Sequence, residues 1–148
     1  MKFDINKYLG TWYEIAKIPT KFEPNLTNVT AEYSLLSDGT IQVVNTGYTF
    51  NEKVTIKGFA HTTDQENHLK VSFFKGVEAD YKVLATIESD ISDNYRFVLV
   101  GGSSPDYLWL LSRKPEISNA TLNFAKSVAK TEGYNVDKLQ FTTHTKHD

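Results

Sequence analysis

Apolar and polar side chains alternate one for one along most of this chain. Ala31, Tyr33 and Leu35 oppose Thr30, Glu32 and Ser34, while Ile41, Val43 and Asn45 oppose Gln42, Val44 and Thr46. Leu69, Val71 and Phe73 oppose His68, Lys70 and Ser72. Tyr81, Val83, Ala85 and Ile87 form a further row against Lys82, Leu84, Thr86 and Glu88, and Trp109 shares a face with Leu111. A period of two predicts strands with one buried and one wet face. Turn residues cut the pattern into segments at 11–18, 29–36, 41–49, 54–62, 68–74, 81–88, 95–100 and 107–113. Asp38-Gly39 supplies the positive φ of a tight hairpin. Pro19, Pro24-Asn25, Lys75-Gly76 and the stretch from Gly101 to Pro105 mark other breaks. Eight strands in meander order predict an all-β fold, an eight-stranded antiparallel up-and-down β-barrel. An open sheet of that length leaves two adhesive edges, and closure removes them.

After Arg113 the period changes. Ser118 is placed to cap a helix over 119–132, in which Leu122, Ala125, Val128 and Ala129 make one apolar stripe and Gly133 ends the run. Such a C-terminal helix has only the outside of the barrel to bury its stripe on. A short strand is expected at 139–143, and a single turn at 4–9 to plug one mouth of the barrel. The whole of 1–148 reads as one domain.

Composition narrows the chemistry. With 9 Phe, 8 Tyr and 2 Trp, the chain is rich in rings that suit pleated strands and apolar pockets. A formal net charge of -2 creates no field to gather nucleic acid. The absence of cysteine excludes disulfides, thiolate catalysis, Cys-based metal sites and a lipid anchored on cysteine. No run approaches the roughly 18 apolar residues of a membrane-spanning helix. Met1-Lys2-Phe3-Asp4 lacks the apolar core of a signal peptide. As written, the expectation is a cytoplasmic protein without a stable membrane anchor. A removed leader replaced by a methionine leaves the same start, which keeps the cell envelope as the alternative.

Three short motifs carry a family resemblance. Gly10-Thr11-Trp12, preceded by Phe3-Asp4-Ile5-Asn6-Lys7-Tyr8-Leu9, resembles the first lipocalin signature, Pro105-Asp106-Tyr107 the second, and Arg113 the third. The resemblance spans nearly the whole chain and is strongest to the bacterial and apolipoprotein D branches. It departs from them in lacking both disulfides and an anchoring cysteine. Gly10, Trp12, Asp106, Tyr107 and Arg113 are then structural: Gly10 turns the chain into the barrel floor, and Trp12 fills it under a cation–π lid from Arg113. The resemblance implies a barrel holding one small ligand. Its lining is expected from Tyr33, Leu35, Val43, Phe73, Tyr81, Val83, Trp109 and Leu111, with Asn45 as an isolated polar group. The positions matching ligand contacts in apolipoprotein D-like members are Tyr33, Asn45, Phe73, Tyr81 and Trp109.

The implied function is binding and transport or scavenging of a hydrophobic or amphiphilic molecule, such as a fatty acid or lysophospholipid, by a monomer or homodimer. No catalytic residue, metal or cofactor is expected. The alternatives are an isomerase of lipid-like substrates and a haem-binding barrel. Lipocalin-like prostaglandin synthases use a cysteine that this chain lacks. His61 and His68 border one turn, which makes an axial ligand inside the barrel unexpected, and His144-x-x-His147 lacks a metal-site context. Glu14 alternates with Trp12 and points inward, so it needs a ligand head group, an inward tyrosine or a strand lysine as partner. The sequons at Asn25, Asn28 and Asn119 read as chance matches.

Overall fold

Each β-branched or aromatic run pairs with the next run in sequence, and the last pairs back onto the first. The computed structural model describes residues 3–19, 26–74 and 76–145. Its strands are β1 (Gly10–Lys17), β2 (Thr27–Leu35), β3 (Ile41–Tyr48), β4 (Lys53–Thr62), β5 (His68–Phe74), β6 (Val77–Glu88), β7 (Tyr95–Gly101), β8 (Leu108–Ser112) and β9 (Gln140–Phe141). All pairings are antiparallel, in the order β2-β3-β4-β5-β6-β7-β8-β1, and β1 also pairs with β2, which closes the barrel. Observed bounds follow the alternation closely except in β6. That strand begins at Val77 rather than Tyr81, because the hairpin at Gly76 (φ +82°) turns tightly. Pro24-Asn25, Lys75 and His147 lie outside the described residues.

The closing seam between β1 and β2 is short. Only Gly10–Tyr13 oppose Tyr33–Thr30, after which β2 diverges through Asn28, whose φ is +51°. There β9 lies against β1, with Ala16 opposite Phe141 and Lys17 opposite Gln140. The chain beyond β9 reaches β2: Asn28 N–H donates to the Thr143 carbonyl at 2.8 Å, and Thr145 N–H to Asn28 Oδ1 at 2.9 Å.

Two bulges divide the apolar residues between two cores. In β6, Val83 opposes Val100 but Ala85 opposes Leu99, so Leu84 is an extra residue. The expected single row therefore splits. Val83 faces the lumen with Val98 and Val100, whereas Ala85 and Ile87 join Phe97 and Leu99 on the outside. In β1, Glu14 opposes Leu111 and Ala16 opposes Leu110, which turns Ile15 and Ala16 outward. An inserted residue reverses the facing of everything after it.

The outer core lies beneath α1 (Asn119–Thr131), where Ala125 and Ala129 are buried among Phe97, Leu99, Leu108 and Leu110. Ser118 Oγ accepts from Thr121 N–H at 3.1 Å and caps the helix. Gly133, at φ +90°, carries the chain out of it.

The other end of the barrel is sealed. A 3₁₀ turn at Ile5–Lys7, capped by Asp4, lies across it. Trp12 is fully buried there and donates its indole N–H to the Tyr8 carbonyl at 2.7 Å. The Arg113 guanidinium lies 3.8 Å from the indole centroid. It also donates to the carbonyls of Lys7 (3.1 Å), Leu9 (2.9 Å), Thr11 (2.9 Å) and Tyr95 (3.0 Å). Gly10 has φ +106°, and a Cβ there would stand 3.1 Å from the guanidinium, so glycine suits both the turn and the close approach. Trp12→Ala should cost roughly 3–5 kcal/mol of folding free energy as a large-to-small core change. Urea unfolding checks this, and a loss below about 1 kcal/mol would exclude the indole as a packing centre.

Candidate ligand cavity

The lumen is filled at the sealed end and open at the other. Ile41, Val43, Val83, Val98 and Val100 are each at most 2% exposed and pack around Trp12 and Tyr8. Within and beside this packing lies a layer of three phenols. Tyr8 and Tyr81 share a hydroxyl–hydroxyl hydrogen bond, and Tyr33 and Tyr81 share another at 3.1 Å. The Tyr8 and Tyr33 ring centroids are 4.6 Å apart. Burial raises all three phenol pKa values, those of Tyr8 and Tyr81 well above the ordinary 10.0. The layer is neutral, amphipathic and hydrogen-bonded within itself.

Beyond this layer, residues that face inward are no longer fully covered. Asn45 opposes Ala31 on one side and Ile56 on the other, so Ile56 must also face the lumen. Ile56 is nevertheless 47% exposed. Water therefore reaches inward side chains at this end of the barrel. Phe73, Tyr81 and Trp109 border the same region and are only partly buried. The Phe73 ring packs on β4 at Gly58, where a Cβ would come within 2.6 Å of it. Glycine at 58 thus makes room for the ring against the wall.

Of the five expected contact residues, Tyr33 and Tyr81 lie in the phenol layer, while Asn45, Phe73 and Trp109 occur on the wall above it. Leu35 stands apart: it ends β2 at the sealed rim and is 50% exposed. Tyr8, Ile56 and Gly58 were not among the expected lining residues. Tyr8 stands inside the first motif, and Ile56 is signalled only by its pairing with Asn45. The Glu14 carboxylate is 7% exposed and accepts from Thr142 Oγ at 2.6 Å, a partner supplied by the segment after β9.

The remaining motif residues are joined elsewhere. Asp106 accepts from Asn135 Nδ2 at 2.6 Å and Lys138 Nζ at 3.1 Å, which hold its carboxyl below the usual range and tie the β7–β8 turn to the chain after α1. Tyr107 closes that turn, its N–H donating to the Ser104 carbonyl at 3.0 Å. His61 contacts Glu78 at 2.7 Å, His68 contacts Asp80 at 2.8 Å, and His144 contacts the Glu14 carbonyl at 2.6 Å. His61 and His68 alternate with the inward Ala60 and Leu69 and so face outward. Among the described residues no group of three or more His, Asp or Glu side chains is arranged to hold a metal. No helix there is long and apolar enough to cross a membrane.

A closed eight-stranded antiparallel barrel, sealed at one end and with inward side chains that water reaches at the other, with one helix on its flank, is the architecture of a small-ligand-holding barrel. The chain belongs to the lipocalin family: residues 3–144 match the family described as Lipocalin-like domain. It is 43% identical over 141 residues to the outer membrane lipoprotein Blc of Citrobacter freundii, covering 93% of this chain and 77% of that protein. It is 32% identical over 154 residues to mouse apolipoprotein D, covering 95% and 76%. Insecticyanin from the tobacco hornworm Manduca sexta shares the fold, with a TM-score of 0.75 at 21% identity, over 98% of this chain and 82% of that one.

The phenol layer predicts a measurable ionisation pattern. Folding raises these pKa values, so the stability they confer is complete below the ordinary value of 10.0 and is lost as pH rises beyond it. Alkaline titration of tyrosinate absorbance should show part of the tyrosine signal appearing only with unfolding. Smooth ionisation of all 8 tyrosines in the folded protein would contradict the buried layer.

Proposed function

We propose that this protein binds an amphiphile with a long hydrocarbon chain, a fatty acid or lysophospholipid, and carries or scavenges it without chemical change. The observation that supports this most is the partly exposed, inward-facing wall formed by Ile56, Phe73 and Trp109 above a neutral floor. An apolar wall with isolated polar groups, here Asn45 and the Tyr33 and Tyr81 hydroxyls, favours one oriented chain over a polar metabolite. Tyr33, Asn45, Phe73, Tyr81 and Trp109 are the proposed contact residues. Burying some ten methylenes at about 0.8 kcal/mol each supplies roughly 8 kcal/mol, the scale of a micromolar complex before ordering costs.

A non-enzymatic role is supported by the same layer. Phenols whose pKa is raised by burial are poor general bases at neutral pH. The outward placement of His61 and His68 disfavours a haem site in the lumen. A place in the cell envelope is supported by the relative named an outer membrane lipoprotein.

Lysophospholipid held below its micelle threshold should saturably change indole fluorescence and raise the melting temperature. Trp109→Ala should weaken binding at least tenfold while shifting stability little, and Trp12→Ala should do the reverse. Absence of saturable binding by the wild type, or loss of affinity only in step with loss of structure, would remove the carrier reading.

A further inference from the structure

The wall is least continuous where the barrel closes. The β3–β4 ladder pairs eight residues on each strand, Ile41–Tyr48 with Ala60–Lys53, whereas the β1–β2 ladder pairs four before Asn28, at φ +51°, turns β2 away. Residues 140–145 fill the gap as a strap. β9 pairs two residues with β1, Thr142 N–H donates to the Ile15 carbonyl at 2.9 Å, and Asn28 N–H to the Thr143 carbonyl at 2.8 Å. Thr145 N–H donates to Asn28 Oδ1 at 2.9 Å, and His144 Nε2 to the Glu14 carbonyl at 2.6 Å. None of these six strap residues is buried, and Phe141, the one large apolar side chain among them, is 57% exposed. A segment held by hydrogen bonds with little apolar burial opens locally at low free-energy cost.

Behind the strap is the lumen. Glu14 alternates with Trp12 and opposes Leu111, both in the inner core, and is itself 7% exposed. The Tyr33 phenol, raised in pKa chiefly by burial, is raised further by the Glu14 charge, which puts that carboxylate beside the phenol layer. Thr142 Oγ donates to the same carboxylate at 2.6 Å. One strap side chain thus touches a group that faces the inside of the barrel, and lifting the strap opens the wall at the height of the phenols. Open recesses border the strap, one beside Tyr13, Thr30 and Tyr48 and another beside Lys17, Leu26 and Thr27. The strap therefore has room to shift without unpacking a core.

We propose that residues 140–145 form a side gate, which lifts from the β1–β2 seam to admit and release amphiphile through the wall. The purpose of the gate rests on the carrier reading, but the construction of the seam stands apart from it. A gate alters the barrier between the free and bound states and neither of the states themselves. It sets the rates of entry and exit in equal measure and leaves affinity unchanged.

A disulfide lock tests the gate. The chain has no cysteine, so Asn28→Cys with Thr145→Cys supplies its only two thiols, at side chains that stand 3.2 Å apart between Nδ2 and Oγ. The positive φ at 28 strains a cysteine in either redox state, so oxidised and reduced forms of the same protein are compared. Stopped-flow mixing with monomeric lysophospholipid should show entry and exit both slowed about tenfold in the oxidised form, at unchanged Kd, and both restored by reduction. Thr142→Val, which takes the hydroxyl away from Glu14, should speed both rates. Equal rates in the oxidised and reduced forms overturn the gate. So does an oxidised form that binds more weakly at an unchanged entry rate, which would make the strap part of the binding wall. Should mass measurement show that the disulfide does not close, Thr142→Val decides alone, and unaltered rates in that variant overturn the gate. Wild type without saturable binding removes the carrier reading and the gate with it; saturable binding at rates indifferent to the lock removes the gate and leaves the carrier.

Discussion

Everything above the barrel floor depends on Arg113 reaching across it. One guanidinium lies on the Trp12 indole and donates to four backbone carbonyls, three of them more than 100 residues away in sequence. The planar, permanently charged fork of arginine makes this possible, and lysine has neither the shape nor the number of donors. The carbonyls of Lys7, Leu9 and Thr11 sit at the sealed end of the barrel and all accept from this one side chain. Left unpaired near the core, such groups cost free energy. Arg113 meets this need, fixes the entry of β1 and holds Trp12 in place at once.

That seal lets the other end of the lumen stay open to water. A barrel filled along its whole length gains more packing, but it has no room for a guest. Here the small aliphatics, Trp12 and Tyr8 are concentrated at one end, and Phe73 lies against the wall over Gly58. The three phenols separate the two halves, presenting ring surface and hydroxyls that already bond to one another. A floor of this kind is apolar enough to sit beneath a hydrocarbon chain and polar enough to stay ordered when none is present.

Strand count, closure, the flanking helix and its Ser118 cap were legible in the sequence because each follows from local periodicity and turn chemistry. The two-core division was not. Tyr81, Val83, Ala85 and Ile87 alternate perfectly on paper, and only the pairing with β7 reveals that Leu84 is an extra residue. A bulge belongs to two strands, so one strand's pattern cannot announce it. Glu14 shows the same limit: its inward direction follows from parity, but its Thr142 partner comes from 128 residues away. Leu35 has the right parity for the lumen and the wrong height, since alternation gives a facing without a position along the bore.

The seam where β9 joins β1 also shapes how the molecule can assemble. Most strands have their partner next door in sequence and can form hairpins as soon as both are available. The wall between β1 and β2 is different, because its upper half is completed by Gln140, Phe141 and the residues that bond Asn28. β1 must likewise wait for β8. Until those late segments arrive, the first strand has unpaired backbone along one side, an invitation to wrong partners. High sequence separation makes such closure slow. In this barrel the first strand synthesised is among the last to be fully paired.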